Sequence, residues 1–506
     1  MSSGSRPLTH ARTALTHAPA LPLVVAGLAL AIALAALPPD AAAFLLAAVA
    51  LLVVALASPL AGFCLLPWAA AFGPALTLTV RGLHVTPLDA LVAGLVLAAV
   101  LRARKNGALA VSRGASPRAA LSSAWRRDRL AVVLFGALLA YLAVVVLSLA
   151  VATDRASTVK EIVKWGEVLA VLASGVYLVH GAQQVRPIVW SAIAAGVAEA
   201  LVGYAQWVLA AGASQLAEGG RVFGTFGQPN PYAGYLNLSL PLALGLAAFS
   251  RDMRERIVAA AAAVLLLVAE ALSASRGGLI GLAAAVVVLA AVGLRRERIA
   301  ALLVGLGALL FTLAAFTPLL PHALSAALLR PLRLEGISPD AAVTNANFST
   351  MERLAHWIAG LRMFAAHPLL GVGAGNYNAA YPRYAFNPSI WPEALGHAHN
   401  YYINAAAETG LLGLLAFLVF AGAALAAGWR ATHPRQAPTA PAASAAAKTH
   451  AASTLTRALA LGLFAVVAGF LAHNLTDDLF LHGMDTQLAL SIACLLVLCG
   501  YSRDAA

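Results

Sequence analysis

The sequence predicts an all-α, polytopic membrane protein of about 12–14 transmembrane helices, with one large extracytoplasmic helical loop between late spans. Three observations predict it. Of the 506 residues, 61% are hydrophobic and only 11% are charged, whereas soluble chains are roughly 45–50% apolar and about 25% charged. The apolar residues fall into runs of the length a bilayer requires, about 17–25 residues each. The basic residues cluster between those runs, and one alternating path puts the clusters on a single side. A mean hydropathy of +0.83 excludes a soluble enzyme and a disordered chain. The 25 Pro and 41 Gly scattered among apolar runs exclude a coiled coil or collagen. Cys64, Cys494 and Cys499 all lie in apolar stretches, so no disulfide framework is expected.

The spanning runs lie near 20–38, 41–57, 87–103, 130–152, 162–180, 187–211, 232–250, 256–273, 277–294, 298–319, 410–429, 457–473 and 485–501. A shorter run at 59–73, with Pro59 and Pro67, reads as a further span or half of a re-entrant hairpin. The first run follows Arg6 and Arg12, as a signal peptide's apolar segment would. Its length, and the spans that follow at once, make it an uncleaved first helix.

Basic residues orient the set, because cytoplasmic loops carry the excess of Lys and Arg. A cytoplasmic N-terminus puts segment 102–129, Arg251–Arg256, Arg295–Arg298 and the Arg430–Arg457 stretch all inside. The formal charge of +12 is therefore mostly a topology signal, and the implied surroundings are membrane lipids, not nucleic acid. Outside lie residues 212–231, the turn at Ser275–Arg276 and the stretch 320–409. The chain thus divides into N-terminal helices (1–319), an outer loop (320–409) and C-terminal helices (410–506). A loop of that size with many Trp, Tyr and Phe residues is expected to be structured and functional. Residues 431–456, rich in Ala, Pro and Thr, read as a flexible linker. No internal repeat is evident, so an inverted-repeat transporter is not supported.

Several cations sit outside against the bias: Arg81, Arg155, Lys160, Lys164, Arg221, Arg276 and Arg353. An anionic ligand at the outer interface would account for them, and so would snorkelling side chains. Arg221 opens a segment with Gly224, Thr225, Gly227, Gln228, Pro229, Asn230 and Pro231, directly before a span. Glycines and prolines there forbid regular helix. A guanidinium beside free N–H groups and a helix start suits a phosphate; a rigid interfacial turn is the other reading. Arg276 lies in Ser275-Arg276-Gly277-Gly278 between nearly continuous apolar runs. A charge at mid-helix depth costs about 2.5–3.5 kcal/mol, so Arg276 needs an anion or a wet cavity.

The outer loop carries the densest set. Ser349 and Glu352 have the spacing of a capping box, starting a helix through Arg353, His356, Trp357 and Arg362 to His367, which Pro368 ends. Gly371, Gly373 and Gly375 form a glycine-rich turn that follows no strand, so it is no dinucleotide fingerprint. Next comes Gly396-His397-Ala398-His399-Asn400, with Asn404 and Glu408 one and two turns along a helix that enters a span. Neutral His is a suitable general base. Two His at i, i+2 on a helix point apart, and no cysteine cluster accompanies them, which disfavours a metal. Asp477 and Asp478 offer carboxylates that would orient a His or bind sugar hydroxyls, but the segment reads better as a polar helix connection.

Together these residues resemble the O-antigen ligase/polymerase superfamily: O-antigen ligases, O-antigen polymerases and protein-O-oligosaccharyltransferases. The likeness lies in Arg221…Gly224-Thr225-Phe226…Pro229-Asn230, then Ser275-Arg276-Gly277, then Glu352-Arg353…Trp357…His367-Pro368…Gly371-Val372-Gly373, and finally His397-Ala398-His399-Asn400…Glu408-Thr409-Gly410. It covers roughly residues 220–415. The resemblance implies a GT-C-like, inverting membrane glycosyltransferase of the bacterial inner membrane, with its active site on the periplasmic face. Such an enzyme moves a glycan en bloc from an undecaprenyl-pyrophosphate carrier to lipid A-core, a growing glycan or a protein, with no cofactor and no metal. It further implies that Arg221, Arg276 and Arg353 bind the pyrophosphate. His399, or else His397, would be the base, with Asn230, Asn400 and Glu408 in support. The rival readings are a transporter of an anionic lipid or solute and a non-catalytic assembly subunit.

Overall fold

A computed structural model describes residues 38–80, 83–106, 128–209, 220–294, 343–344, 347–433 and 443–500. The runs expected at 20–38 and 298–319, Arg81, residues 107–127 and 434–442 of the cytoplasmic linkers and residues 320–342 of the outer loop lie outside the described residues, while residues 443–456, expected as flexible linker, are helical. The helices are α1 (Pro39–Ala57), α2 (Pro59–Phe72), α3 (Pro87–Lys105), α4 (Arg129–Leu147), α5 (Arg155–Leu178), α6 (Gly181–Leu209), α7 (Pro229–Leu236) and α8 (Leu240–Phe249). They continue with α9 (Met253–Ser273), α10 (Arg276–Gly293), α11 (Phe348–Ala366), α12 (Tyr377–Tyr384), α13 (Tyr401–Thr432), α14 (Ala443–His473) and α15 (Met484–Leu498). Every expected apolar run within the described residues is helical. Nine helical stretches among them are long and apolar enough to cross a membrane, and α15 is a shorter apolar helix. This is an all-α, multi-pass membrane protein.

The run at 59–73 is α2, extended by a short 3-10 turn to Leu76, so it is long enough to span. A small antiparallel pair follows, β1 (Leu78–Val80) and β2 (Leu83–Val85), with Thr79 opposite His84. The run at 232–250 is broken between α7 and α8. With no water in a bilayer core, the polar groups at such a break need protein partners. Asn237 Nδ2 donates to the Gly278 carbonyl at 2.8 Å, and Ser239 Oγ to the Ala192 carbonyl at 2.8 Å.

The core centres on α13, α14 and α15, and every residue of α15 is buried. Beside these helices sits an aromatic cluster: Trp165 stacks 5.1 Å from Phe480, and Tyr401 lies 4.2 Å from Phe480 and 4.7 Å from Phe417. Tyr141 and Tyr401 share a hydroxyl hydrogen bond of 2.8 Å beside it.

The outer-loop helix α11 differs from expectation at its start. It begins at Phe348 with Asn347 in the cap position, not at a Ser349 capping box. The reason is a turn upstream: Asn347 Oδ1 accepts from Thr344 N at 2.7 Å, and the Thr344 carbonyl accepts from Asn347 N and Phe348 N. This closes the chain into helix two residues early. Further on, the loop docks by backbone onto α13. Val372 N donates to the Ala407 carbonyl, Gly373 N to the Glu408 carbonyl and Leu411 N to the Pro368 carbonyl, at 2.8–3.0 Å. The docking depends on Gly410, whose φ of 64° and ψ of −165° kink α13 in a region essentially open to glycine alone. A Cβ there would run into the Leu369 backbone.

Gly410→Ala is therefore expected to lower stability by about 1–3 kcal/mol and to loosen the outer loop. Thermal unfolding in detergent, with limited proteolysis between residues 366 and 400, checks this; an unchanged melting temperature and digest would contradict it.

Candidate active site

The site forms where helices end on one side of the bundle. On its first flank, α9 ends at Ser273 and α10 begins at Arg276, capped by Ser275 Oγ accepting from Gly278 N at 3.1 Å. The Gly-Pro segment before α7 folds against this junction: Arg221 Nε donates to the Ser273 carbonyl at 2.8 Å and a terminal Arg221 nitrogen to Asn230 Oδ1 at 3.1 Å. Asn230 Oδ1 also accepts from Ser275 Oγ at 3.0 Å. Asn230 thus ties Arg221 to the cap of the helix that carries Arg276. Arg276 reaches across to α11, donating to Thr350 Oγ1 at 2.8 Å. One turn further along α11, Arg353 donates from Nε to the Thr476 carbonyl at 3.1 Å and from a terminal nitrogen to the Ser349 carbonyl at 3.0 Å. Arg221 is therefore joined through Asn230 to the cap of the helix that carries Arg276, and Arg276 and Arg353 meet adjacent positions of α11.

Thr476 precedes Asp477, and this segment leads to the histidines. His397 and His399 are not on a helix. They occupy the turn before α13, which starts at Tyr401 with Asn400 as its cap; Asn400 Oδ1 accepts from Tyr402 N at 3.0 Å and Ile403 N at 3.1 Å. Asn400 Nδ2 donates to the Leu475 carbonyl at 2.8 Å, and Tyr401 N to the carbonyls of Asn474 and Asp477. Asn400 thus holds the α13 start against the Asp477 segment. Asn404 Oδ1 accepts from Ala398 N at 3.1 Å, folding the turn back on the helix. His399 adopts a φ of 50°, strained for a residue with a Cβ; Trp357 Nε1 braces it by donating to its carbonyl at 3.2 Å.

The turn changes which way the rings point. At i, i+2 on a helix they would diverge; here their centroids are 4.6 Å apart and both approach Asp477. His399 Nδ1 lies 3.4 Å from Asp477 Oδ1 and His397 Nε2 lies 3.9 Å from it. The geometric objection to a metal thus falls: His397, His399 and Asp477 form a group that could hold a cation, with donor atoms within 4.8 Å of one another. Asp477, read from sequence as a polar connection, is instead buried against both histidines. The signal for it was an acidic pair on the same outer side as the His turn. His473 gave no such signal within its apolar run. It is fully buried on α14 with neither ring nitrogen partnered among the described residues, and a Cβ on Gly277 would lie 2.6 Å from its ring.

Electrostatics separate the roles of the histidines. Burial pushes His399 below the ordinary value of 6.5, against the raising pull of the Asp477 hydrogen bond and charge, with His397 and Arg353 adding to the lowering. His356, whose ring lies 5.5 Å from His399, falls to about 4 through burial and then through His399 and His397. Burial works to raise Asp477, yet the His399 hydrogen bond and the nearby His397, His399 and Arg353 hold it below the usual carboxylate range. At neutral pH the pair is a carboxylate and a neutral imidazole. With Nδ1 toward Asp477, the His399 proton sits on Nδ1, and Nε2 is buried without a partner among the described residues. His397 differs, since its Nδ1 accepts from His399 N at 3.1 Å.

Residues 261–418 match the family model described as O-antigen ligase. The match supports the O-antigen ligase/polymerase superfamily. The family carries ligase- or polymerase-type glycan transfer in membranes. No curated protein matches the chain. The matched stretch includes Arg276, Arg353, His397, His399, Asn400 and Glu408, while Arg221, Asn230 and Asp477 are brought to it only by folding. Glu408 lies apart from the arginines. Its Oε1 accepts from Tyr377 N at 2.9 Å, so it secures the glycine turn, and it also lines a cavity of about 240 Å³ with Lys160, Lys164 and His397.

Because Asp477 raises His399 against burial, Asp477→Asn is expected to move the His399 titration lower still. Diethyl pyrocarbonate modification of His399, followed by mass spectrometry across pH, checks the sign; a rise in the variant would contradict the pairing.

Proposed function

We propose that the chain transfers a glycan en bloc, with inversion, from an undecaprenyl-pyrophosphate carrier to an acceptor hydroxyl on the outer face of the bacterial inner membrane. The acceptor assigned is lipid A-core, as in an O-antigen ligase. The observation that carries the reading is His399: Nδ1 is held by Asp477 and Nε2 is left unpartnered. In the reaction the acceptor oxygen attacks the anomeric carbon, the carbon–oxygen bond to pyrophosphate breaks, and the hydroxyl proton passes to His399 Nε2. Asp477 orients the ring and stabilises the imidazolium that forms, the arrangement by which a carboxylate supports a histidine base. His397 is the weaker choice, because its Nδ1 lone pair is already engaged.

The leaving group acquires negative charge as that bond breaks. Preorganised guanidiniums stabilise such charge without reorganising at the moment of reaction. Arg221, Arg276 and Arg353 would take this part, with Asn230 and the Ser275 cap fixing the first two relative to each other. A divalent ion is not needed for charge neutralisation in this scheme. A polymerase or protein-O-oligosaccharyltransferase would use the same steps on another acceptor. A transporter would use the arginines alone.

Purified chain given a lipid-pyrophosphate glycan and lipid A-core should release free undecaprenyl pyrophosphate and form the extended glycolipid; transport without release would sink the enzyme reading. His399→Ala should reduce kcat by about 10²–10⁴-fold and Arg276→Ala by about 10²–10³-fold, with His397→Ala milder than His399→Ala. The reverse order for the histidines would reassign the base. EDTA should leave the rate unchanged; a loss restored by a divalent cation would turn His397, His399 and Asp477 into its ligands.

A further inference from the structure

The cavity beside His397 has no part in the scheme above. It is about 240 Å³ and is lined from Tyr141 of α4, from α5, from the glycine turn at 374–375, from the His turn and α13, and from Asp478, Phe480 and Leu481. None of its lining residues comes from α7, α10 or α11, the elements that hold Asn230, Arg276 and Arg353. The two histidines divide the space. His399 packs its ring against His356 of α11, on the arginine side, whereas His397 forms a wall of the cavity.

The chemistry of the walls also differs. Lys160 and Lys164 face the cavity together with Glu161, Glu408 and Asp478. Lys164 Nζ and Glu161 Oε1 pair at 2.6 Å, each side chain about one-quarter exposed (23%). Glu408 and Asp478 each use one carboxylate oxygen to accept a backbone N–H, from Tyr377 and Phe480. With both lysines facing acidic side chains, the cavity has no excess of positive charge to recruit a pyrophosphate. These groups match instead a ring bearing many hydroxyls, each able to donate to a carboxylate and accept from an ammonium. The Tyr401 and Phe480 rings supply an apolar flank, as in small-molecule pockets that combine aromatic walls with a few placed polar groups. The volume is below the roughly 300–1,000 Å³ of drug-sized sites, which suits one sugar unit, not a chain.

Resting on the transferase reading, we infer that this cavity binds the sugar unit of the acceptor whose hydroxyl is glycosylated, and that Glu161, Lys164 and Asp478 read its hydroxyls. The sugar enters between α5 and the His turn, on a side that none of the three arginines lines, and its reacting hydroxyl extends past His397 to the adjoining His399. Acceptor and leaving group thus approach from different flanks, as displacement with inversion requires.

The test measures both substrates separately on the full chain in lipid nanodiscs. Glu161→Gln removes one carboxylate at the cavity, and Lys160→Ala, an exposed position, serves as a variant that folds readily. Each should raise the KM for lipid A-core, by about tenfold for Glu161→Gln, and leave the KM for the lipid-pyrophosphate donor within about twofold. A rise in donor KM instead would give the cavity to the donor's own sugars, and no change in either would remove it from binding; both overturn the inference. Equilibrium binding of lipid A-core and of undecaprenyl pyrophosphate, without turnover, keeps the two readings separable. Lipid A-core binding weakened in Glu161→Gln, with undecaprenyl pyrophosphate binding unchanged, supports the cavity even if the wild-type chain transfers nothing. Equal lipid A-core affinity in wild type and variant rejects it whatever the activity.

Discussion

Inside a bilayer every backbone N–H and C=O must find its partner within the protein, and helices meet this demand everywhere except at their ends. This protein gathers its helix ends and breaks: the α9–α10 junction, the start of α7, the start of α13 and the kink at Gly410. Each has to be closed by polar side chains or by another segment's backbone, and those closing groups form the site. Ser275 caps α10 and holds Asn230; Asn400 caps α13 and grips the segment that bears Asp477. The polar network of the candidate site is thus the same network that closes the interrupted helices.

A second consequence is a division of charge around the histidines. On one flank, arginines hydrogen-bond to uncharged oxygens of Ser273, Asn230, Thr350, Thr476 and Ser349. On the other flank, the lysines near Glu161, Glu408 and Asp478 are balanced. Between them, burial keeps His399 neutral while Asp477 stays ionised. Opposing environments of this kind set two neighbouring titratable groups to different tasks.

Much of the architecture was legible in the chain. Long apolar runs can only be spans, and each run among the described residues became helix because its backbone has no other way to satisfy itself in lipid. The arginines were legible as well, since a cation on the outer side is conspicuous against the basic-inside bias. The start of α11 was misread, because Ser349 and Glu352 have capping-box spacing while the competing turn at Thr344–Asn347 lies outside that pattern. The divergence expected of His397 and His399 failed for a related reason: Asn400 caps the helix after them, so helical geometry does not apply to the pair.

The sequence by itself determined the class and the spans and singled out the residues of the candidate site, because hydrophobic length and out-of-place charge are one-dimensional signals. Only the tertiary structure decided which groups act together. Asp477 lies 78 residues from His399 and Arg221 lies 52 from Ser273, and no local pattern encodes those meetings. They depend on the closeness of α13 and α14 and on a glycine conformation at residue 410 that lets the outer loop seat its backbone against α13. Contacts of that kind arise from the packing of whole helices, which the order of residues along any one of them does not reveal.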